Sequence, residues 1–149
     1  MGNVSLRKIQ TKKTTCLKLT TAVLICLFFC GCKTGPSDEQ LIKTTMNSWK
    51  QAIIAQDVDA IVTNYSDNFS SERGGGKEEL RGFMERAIDE GWLENIDINL
   101  EIAQLTITDD TAEYSPVEIV GDNGEMELDF KLKKEDKKTW RIIESALQR

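Results

Sequence analysis

Two carboxylates in this chain stand at positions where an acid could do chemistry. Glu144 follows Trp140 and Ile142 at a spacing of two. If a strand turns Trp140 and Ile142 inward, the same count turns Glu144 inward. A buried acid has a raised pKa and can serve as a general base or a ligand anchor. If the strand slips phase after Ile142, Ile143 turns inward instead and Glu144 is solvated. Asp67, within Tyr65-Ser66-Asp67-Asn68-Phe69, is the second candidate acid. Its competing reading is a turn in which Asp67 and Asn68 cap the backbone on the way into a strand. Either acid would suit isomerase or hydrolase chemistry on a small molecule.

The rest of the composition argues against catalysis. The chain has 149 residues and no His. That excludes Ser-His-Asp and Cys-His machinery and any histidine metal ligand. The four cysteines, Cys16, Cys26, Cys30 and Cys32, all precede Lys33, so the remainder holds no disulfide framework and no zinc knuckle. Gly74-Gly75-Gly76-Lys77 invites a phosphate-loop reading, but Glu78 stands where that loop needs Ser or Thr. A loop capping a helix, or a flap over a pocket mouth, fits it better. Asp109-Asp110 and Asp122-Asn123-Gly124 do not continue into a calcium loop and read as hairpin turns. Lys131, Lys133, Lys134, Lys137 and Lys138 are interleaved with Glu135 and Asp136, as on a solvated strand face. No metal and no cofactor is implied.

The aromatic residues offer a different chemistry. Trp49, Tyr65, Phe69, Phe83, Tyr114, Phe130 and Trp140, with Glu144, are the candidate lining of a pocket for a flat apolar ligand, and Trp92 adds to the aromatic content. The alternative is that the rings simply fill a core.

Charge divides the chain in two. Residues 1–31 hold five basic residues and no acidic one; residues 32–149 hold 14 basic and 25 acidic residues, a net charge of −11. A body of that charge repels nucleic acid. The basic start runs to Lys18, and the apolar run is Ala22-Val23-Leu24-Ile25-Cys26-Leu27-Phe28-Phe29. Only 14 residues separate Lys18 from Lys33, against roughly 20 for a membrane-spanning helix. This is the pattern of a signal peptide. Phe29-Cys30-Gly31-Cys32 resembles a bacterial lipobox, which makes residues 1–31 a leader, Cys32 the lipidated (palmitate-bearing) residue and 32–37 a short tether. Two or three acyl chains hold a protein at a membrane where one is marginal. The expected location is the cell envelope, and in a Gram-negative host the outer membrane, because Lys33 replaces the Asp of inner-membrane retention.

Residues 38–149 fit one domain. Ser37 and Gln40 form a capping box ahead of a helix whose stripe is Ile42, Met46, Trp49 and Ile53. Asp57 caps a second helix carrying Val58, Ile61, Val62 and Tyr65. A third presents Leu80, Phe83, Met84, Ala87 and Ile88 and ends at Gly91. The period then changes from 3.6 to 2. Ile96 to Ile107 reads as one strand with a phase slip after Ala103. Ala112 to Ile119 slips at Pro116, Met126 to Leu132 alternates cleanly, and Trp140-Ile142 opens the last strand. The expectation is an α+β domain: three N-terminal helices packed on a strongly bent antiparallel sheet, cone-shaped, with one shared core.

Five segments carry a family likeness: Trp49-Lys50-Gln51-Ala52, Gln56-Asp57-Val58-Asp59-Ala60-Ile61, Tyr65-Ser66-Asp67-Asn68-Phe69, Gly76-Lys77-Glu78-Glu79-Leu80, and Lys133-Lys134-Glu135-Asp136 leading to Trp140-Arg141-Ile142. With the order of elements, they resemble the nuclear-transport-factor-2-like (cystatin-like) superfamily over about residues 38–146. That group includes ketosteroid isomerases, scytalone dehydratase, SnoaL-like polyketide cyclases and many small secreted proteins. The resemblance implies a further short strand around Phe69–Glu72, a cavity between helices and sheet, and homodimers through the outer sheet face in some members. Its enzymes use a pocket Asp with a His or Tyr partner. Here there is no His, and no Tyr–Asp pair falls at matching positions. The expected role is therefore a membrane-anchored lipoprotein that binds a small apolar ligand or an envelope protein without catalysis. The alternatives are a pocket-carboxylate enzyme and a purely structural dimerising module. Replacing Cys32 with Ser is expected to release the protein from membranes. Continued labelling of that variant by a palmitate analogue would overturn the lipidation assignment.

Overall fold

The structure, a computed structural model, describes residues 35–72 and 74–148. The leader and Cys32 lie outside the described residues. Helix α1 spans Asp38–Ile54, α2 spans Val58–Thr63 and α3 spans Lys77–Asp89. The strands are β1 (Tyr65–Ser71), β2 (Asp97–Asn99), β3 (Gln104–Thr108), β4 (Thr111–Gly121), β5 (Gly124–Asp136) and β6 (Thr139–Leu147).

The helix ends follow local chemistry. The Ser37 and Gln40 side chains exchange hydrogen bonds with each other's backbone N–H, at 3.3 and 3.0 Å. At the other end of α1, Gln56 takes a φ of 53° and its N–H bonds Ile53 O, while Asp57 N–H bonds Ala52 O. Those two bonds close a Schellman motif. Asp57 then caps α2 by accepting from Ala60 N–H at 3.0 Å. One residue thus ends the first helix and begins the second.

The sheet corrects one expectation. Its order is β1-β6-β5-β4-β2, with β3 also on β4, and it is mixed rather than antiparallel because β1 runs parallel to β6. Strand β1 also lies between α2 and α3, so the helices do not all precede the sheet. Its sequence, Tyr-Ser-Asp-Asn-Phe-Ser-Ser, buries residues in no strict alternation, so period two could not reveal it. The single strand expected from Ile96 to Ile107 is two, β2 and β3, both paired with β4 and separated by residues 100–103. The positive φ of the β4–β5 hairpin falls at Gly124, and Gly121 pairs with Gly124 around Asp122-Asn123.

Two one-residue slips in the middle of the sheet shape it, and a third, at Glu135, lies beside the β5–β6 turn. On β4, Ser115 and Pro116 together oppose the single Asp129, because Tyr114 pairs with Phe130 and Val117 with Leu128. On β6, Leu132 pairs with Ile142 but Lys131 with Glu144, leaving Ile143 as the extra residue. Each slip reverses which residues face inward.

Under one end of the sheet the core is filled. Trp49 meets Phe130 edge to face with centroids 4.8 Å apart, and Ile42, Met46, Leu132, Trp140 and Ile142 are fully buried around them. Thr45 Oγ1 donates to Trp140 O at 3.0 Å, joining α1 to β6. All the described core lies between Ile42 and Ile142, so residues 36–149 carry a core of their own.

Asp38 anchors the start of α1 to the β5–β6 hairpin. It accepts from Lys134 Nζ at 2.6 and 2.9 Å and from Trp140 Nε1 at 3.1 Å. Chiefly the Lys134 hydrogen bond, and then that from the indole, hold its carboxyl below the usual range. A carboxylate with a depressed folded-state pKa adds stability above its unfolded value of about 3.9, and that stability is lost as pH falls through the folded value. Asp38→Asn is therefore expected to lower the Tm at pH 7. The gap to wild type should shrink as thermal melts are repeated below about pH 4.

Candidate functional site

Beyond the two slips the inner face of the sheet is only partly covered: Val117 is buried, but Ile119 and Leu128 are half-buried. Helix α3 packs on α2 and β1, and only Ala87 of its apolar stripe is buried. Between α3 and the far ends of β4, β5 and β6 lies a cleft of about 750 Å³, within the range of small-molecule sites. Trp49, Tyr65 and Phe69, all buried, form its floor. Leu80, Phe83 and Met84 of α3 form one wall. Ile119, Leu128, Ser145 and Leu147 of the sheet form the other. The mouth exposes apolar side chains to solvent: Phe83 is 45%, Trp92 45%, Met126 48% and Leu147 38% exposed.

Local chemistry explains why those residues are there. The third helix ends in a second Schellman motif, with Gly91 at φ 74°, Gly91 N–H on Ile88 O and Trp92 N–H on Ala87 O at 2.8 Å. The sharp reversal sends Trp92 back against Phe83, centroids 6.2 Å apart. At the other end, Gly74, Gly75 and Gly76 carry the chain from β1 into α3 along the cleft edge. Gly74 and Gly75 have φ of 78° and 109°, a backbone that side-chain-bearing residues rarely adopt. Glu79 reaches back to accept from Gly76 N–H at 2.8 Å. The loop does cap a helix, as its composition suggests.

Of the residues singled out from the sequence, Trp49, Tyr65, Phe69 and Phe83 come together in the cleft. Tyr114, Phe130 and Trp140 do not. They are buried in the filled half of the core, where the Tyr114 hydroxyl donates to Leu100 O at 3.0 Å and Trp140 to Asp38.

Neither candidate acid reaches the cleft. Glu144 is exposed opposite Lys131, because the extra residue Ile143 reverses the phase of β6 and turns Ser145 inward in its place. Asp67 is an exposed residue of β1, not a turn residue, and pairs with Lys77 at 2.9 Å. That ion pair holds its carboxyl below the usual range. The backbone capping foreseen for Asp67 and Asn68 is done by Ser66, whose Oγ accepts from Asn68 N–H at 3.2 Å.

The titratable side chains lining the cleft, among the described residues, are Tyr65, Glu72 and Glu79. Burial pushes the Tyr65 phenol well above its ordinary range, so it is a neutral hydroxyl and a poor nucleophile. Its oxygen accepts from Trp49 Nε1 at 3.0 Å. Backbone hydrogen bonds hold Glu79 below the usual carboxylate range, which makes it a weak base. Among the described residues no group of three or more Cys, Asp or Glu could hold a metal ion, and no helix is long and apolar enough to cross a membrane.

On the far wall, Ser145 and Leu147 are the residues that pattern reading misses. Ser145 is polar and Leu147 ends the chain's last strand, and nothing local marks either as inward-facing. The stripe Leu80-Phe83-Met84-Ala87 was legible, but as a core face rather than an open wall.

No family model and no curated protein sequence matches the chain. Solved structures do. Bd1075 of Bdellovibrio bacteriovorus is 17% identical with a TM-score of 0.61, over 72% of this chain and 40% of that one, so the chain spans two fifths of that protein. A Nostoc punctiforme protein of unknown function with a cystatin-like fold is 17% identical, TM-score 0.58, over 74% and 89% of the two chains. A nuclear-transport-factor-2-like protein of unknown function from Shewanella oneidensis is 15% identical, TM-score 0.59, over 76% and 100%. At these identities the likeness is one of fold: an α+β, nuclear-transport-factor-2-like (cystatin-like) architecture with a mixed sheet.

Tyr65→Phe would leave the buried Trp49 indole N–H without its acceptor. The expected cost is about 1–3 kcal/mol, read as a lower urea midpoint at unchanged slope.

Proposed function

We propose that this protein is a lipoprotein of the cell envelope, anchored through Cys32, whose domain binds a small apolar ligand without transforming it. The observation that carries the reading is the cleft. It has the volume of a ligand site, a floor of buried aromatic rings and a half-exposed apolar mouth. Contiguous apolar surface open to water is costly for a monomer and marks a site that something covers.

What lines the cleft supports binding without catalysis. Its phenol stays protonated, and one of its carboxylates is committed to capping α3. Neither Asp67 nor Glu144 is among its walls. The absence of His removes the usual neutral-pH proton carrier. The basic leader and the lipobox resemblance at Cys32 support the anchor, and a −11 body would be held off an anionic bilayer rather than adsorbed to it.

Native mass spectrometry of the mature protein from its host is expected to show a bound small molecule. Ser145→Trp should fill the cleft from the sheet side, abolish that adduct, and weaken binding of the neutral dye N-phenyl-1-naphthylamine at least tenfold. An adduct retained in Ser145→Trp would place the ligand elsewhere and overturn the reading.

A further inference from the structure

The mouth of the cleft carries chemistry that its floor lacks. Phe83 and Trp92 stand half-exposed with ring planes 58° apart. Glu79 precedes Phe83 by four residues on α3, the spacing that puts two side chains on one helix face. Glu79 and both rings line the cleft. Backbone hydrogen bonds keep the Glu79 carboxylate ionised, and a carboxylate that accepts them still has lone pairs to offer. Among the described residues no Lys or Arg lines the cleft.

Charge and ring faces thus favour the same kind of guest. The face of an aromatic ring is negative, and attracts an ammonium group within about 6 Å of its centroid. A neighbouring carboxylate adds to that attraction, and the −11 body draws cations toward the surface. A fatty-acid-like anion would instead set its own charge against Glu79.

We propose that the ligand is a cationic amphiphile. Its apolar body lies against Leu80, Met84 and Leu128, and its alkylammonium group sits at the mouth beside Phe83, Trp92 and Glu79. This deepens the preceding reading and rests on it.

The test compares three probes of one chain length on residues 36–149: decyltrimethylammonium and decanoate below their micellar concentrations, and decanol below its solubility limit. Displacement of N-phenyl-1-naphthylamine reports affinity. Decyltrimethylammonium is expected to bind about tenfold more tightly than decanol, from the ring faces and the carboxylate together. Decanoate should bind most weakly, and added salt should shrink the differences. Glu79→Gln keeps a residue that can fill the same capping position. It should cut the ammonium-to-decanol affinity ratio about threefold, as should Trp92→Leu. Equal affinities for the three probes, or tightest binding of decanoate, would overturn the proposal and leave cleft binding standing. If neither the dye nor any probe binds, both readings fall. The wild-type ranking decides the matter even if a variant does not fold.

Discussion

Between Leu128 and Leu132, β5 is flanked on each side by a strand with one residue more than itself. On β4 the surplus is at Ser115-Pro116, and on β6 it is Ile143. Two slips on either side of the same short stretch bend the sheet there. They also reverse the inward-facing set on both neighbours while β5 keeps its alternation from Met126 to Leu132. The division of the molecule follows from that. On one side of the bend Ala112, Tyr114, Leu132, Trp140 and Ile142 close under α1 into a dry core. On the other, Ile119, Leu128, Ser145 and Leu147 face a space that no helix fills.

That space stays open because the helices are committed elsewhere. Helix α1 is held by Thr45 on Trp140 and by the Asp38 cluster with Lys134 and Trp140. Helix α3 is set by what precedes and follows it, the glycine loop from β1 and the reversal at Gly91. Both ends hold it against α2 and the edge strand β1 rather than over β4 and β5. Its apolar stripe is then only partly covered, which is unfavourable in water by roughly 25 cal/mol per Å² of apolar surface left exposed. The same helix delivers Glu79 and Phe83 to the mouth, so the element that leaves the cleft unfilled also sets the polarity of its rim.

Much of the fold could be read from local signals, because caps and amphipathic stripes are short-range physics. The Ser37–Gln40 box, the Asp57 cap, the Gly91 stop and the Pro116 slip each depend on a few neighbouring residues. Strand β1 could not be read this way. It buries Tyr65, Ser66 and Phe69 without alternation, and its pairing partner β6 is some seventy residues away in sequence. Glu144 was ambiguous for a related reason. Counting by two is right for Trp140 and Ile142, but one surplus residue, visible only against Leu132 and Lys131, turns the acid out to water.

By itself, the sequence determined the charge division at residue 32, the resemblance of Cys32 to a lipidation site, the absence of histidine chemistry and the list of apolar residues that must find cover. Those properties belong to composition or to neighbours along the chain. Only the tertiary structure decided which of the rings are core and which are cleft. Trp49 and Phe130 touch, yet one borders the opening and the other does not. Burial in this protein is set by strand register and by where α3 stops, and both are long-range outcomes. A periodic pattern shows that a residue has an inward face, but not whether anything packs against it.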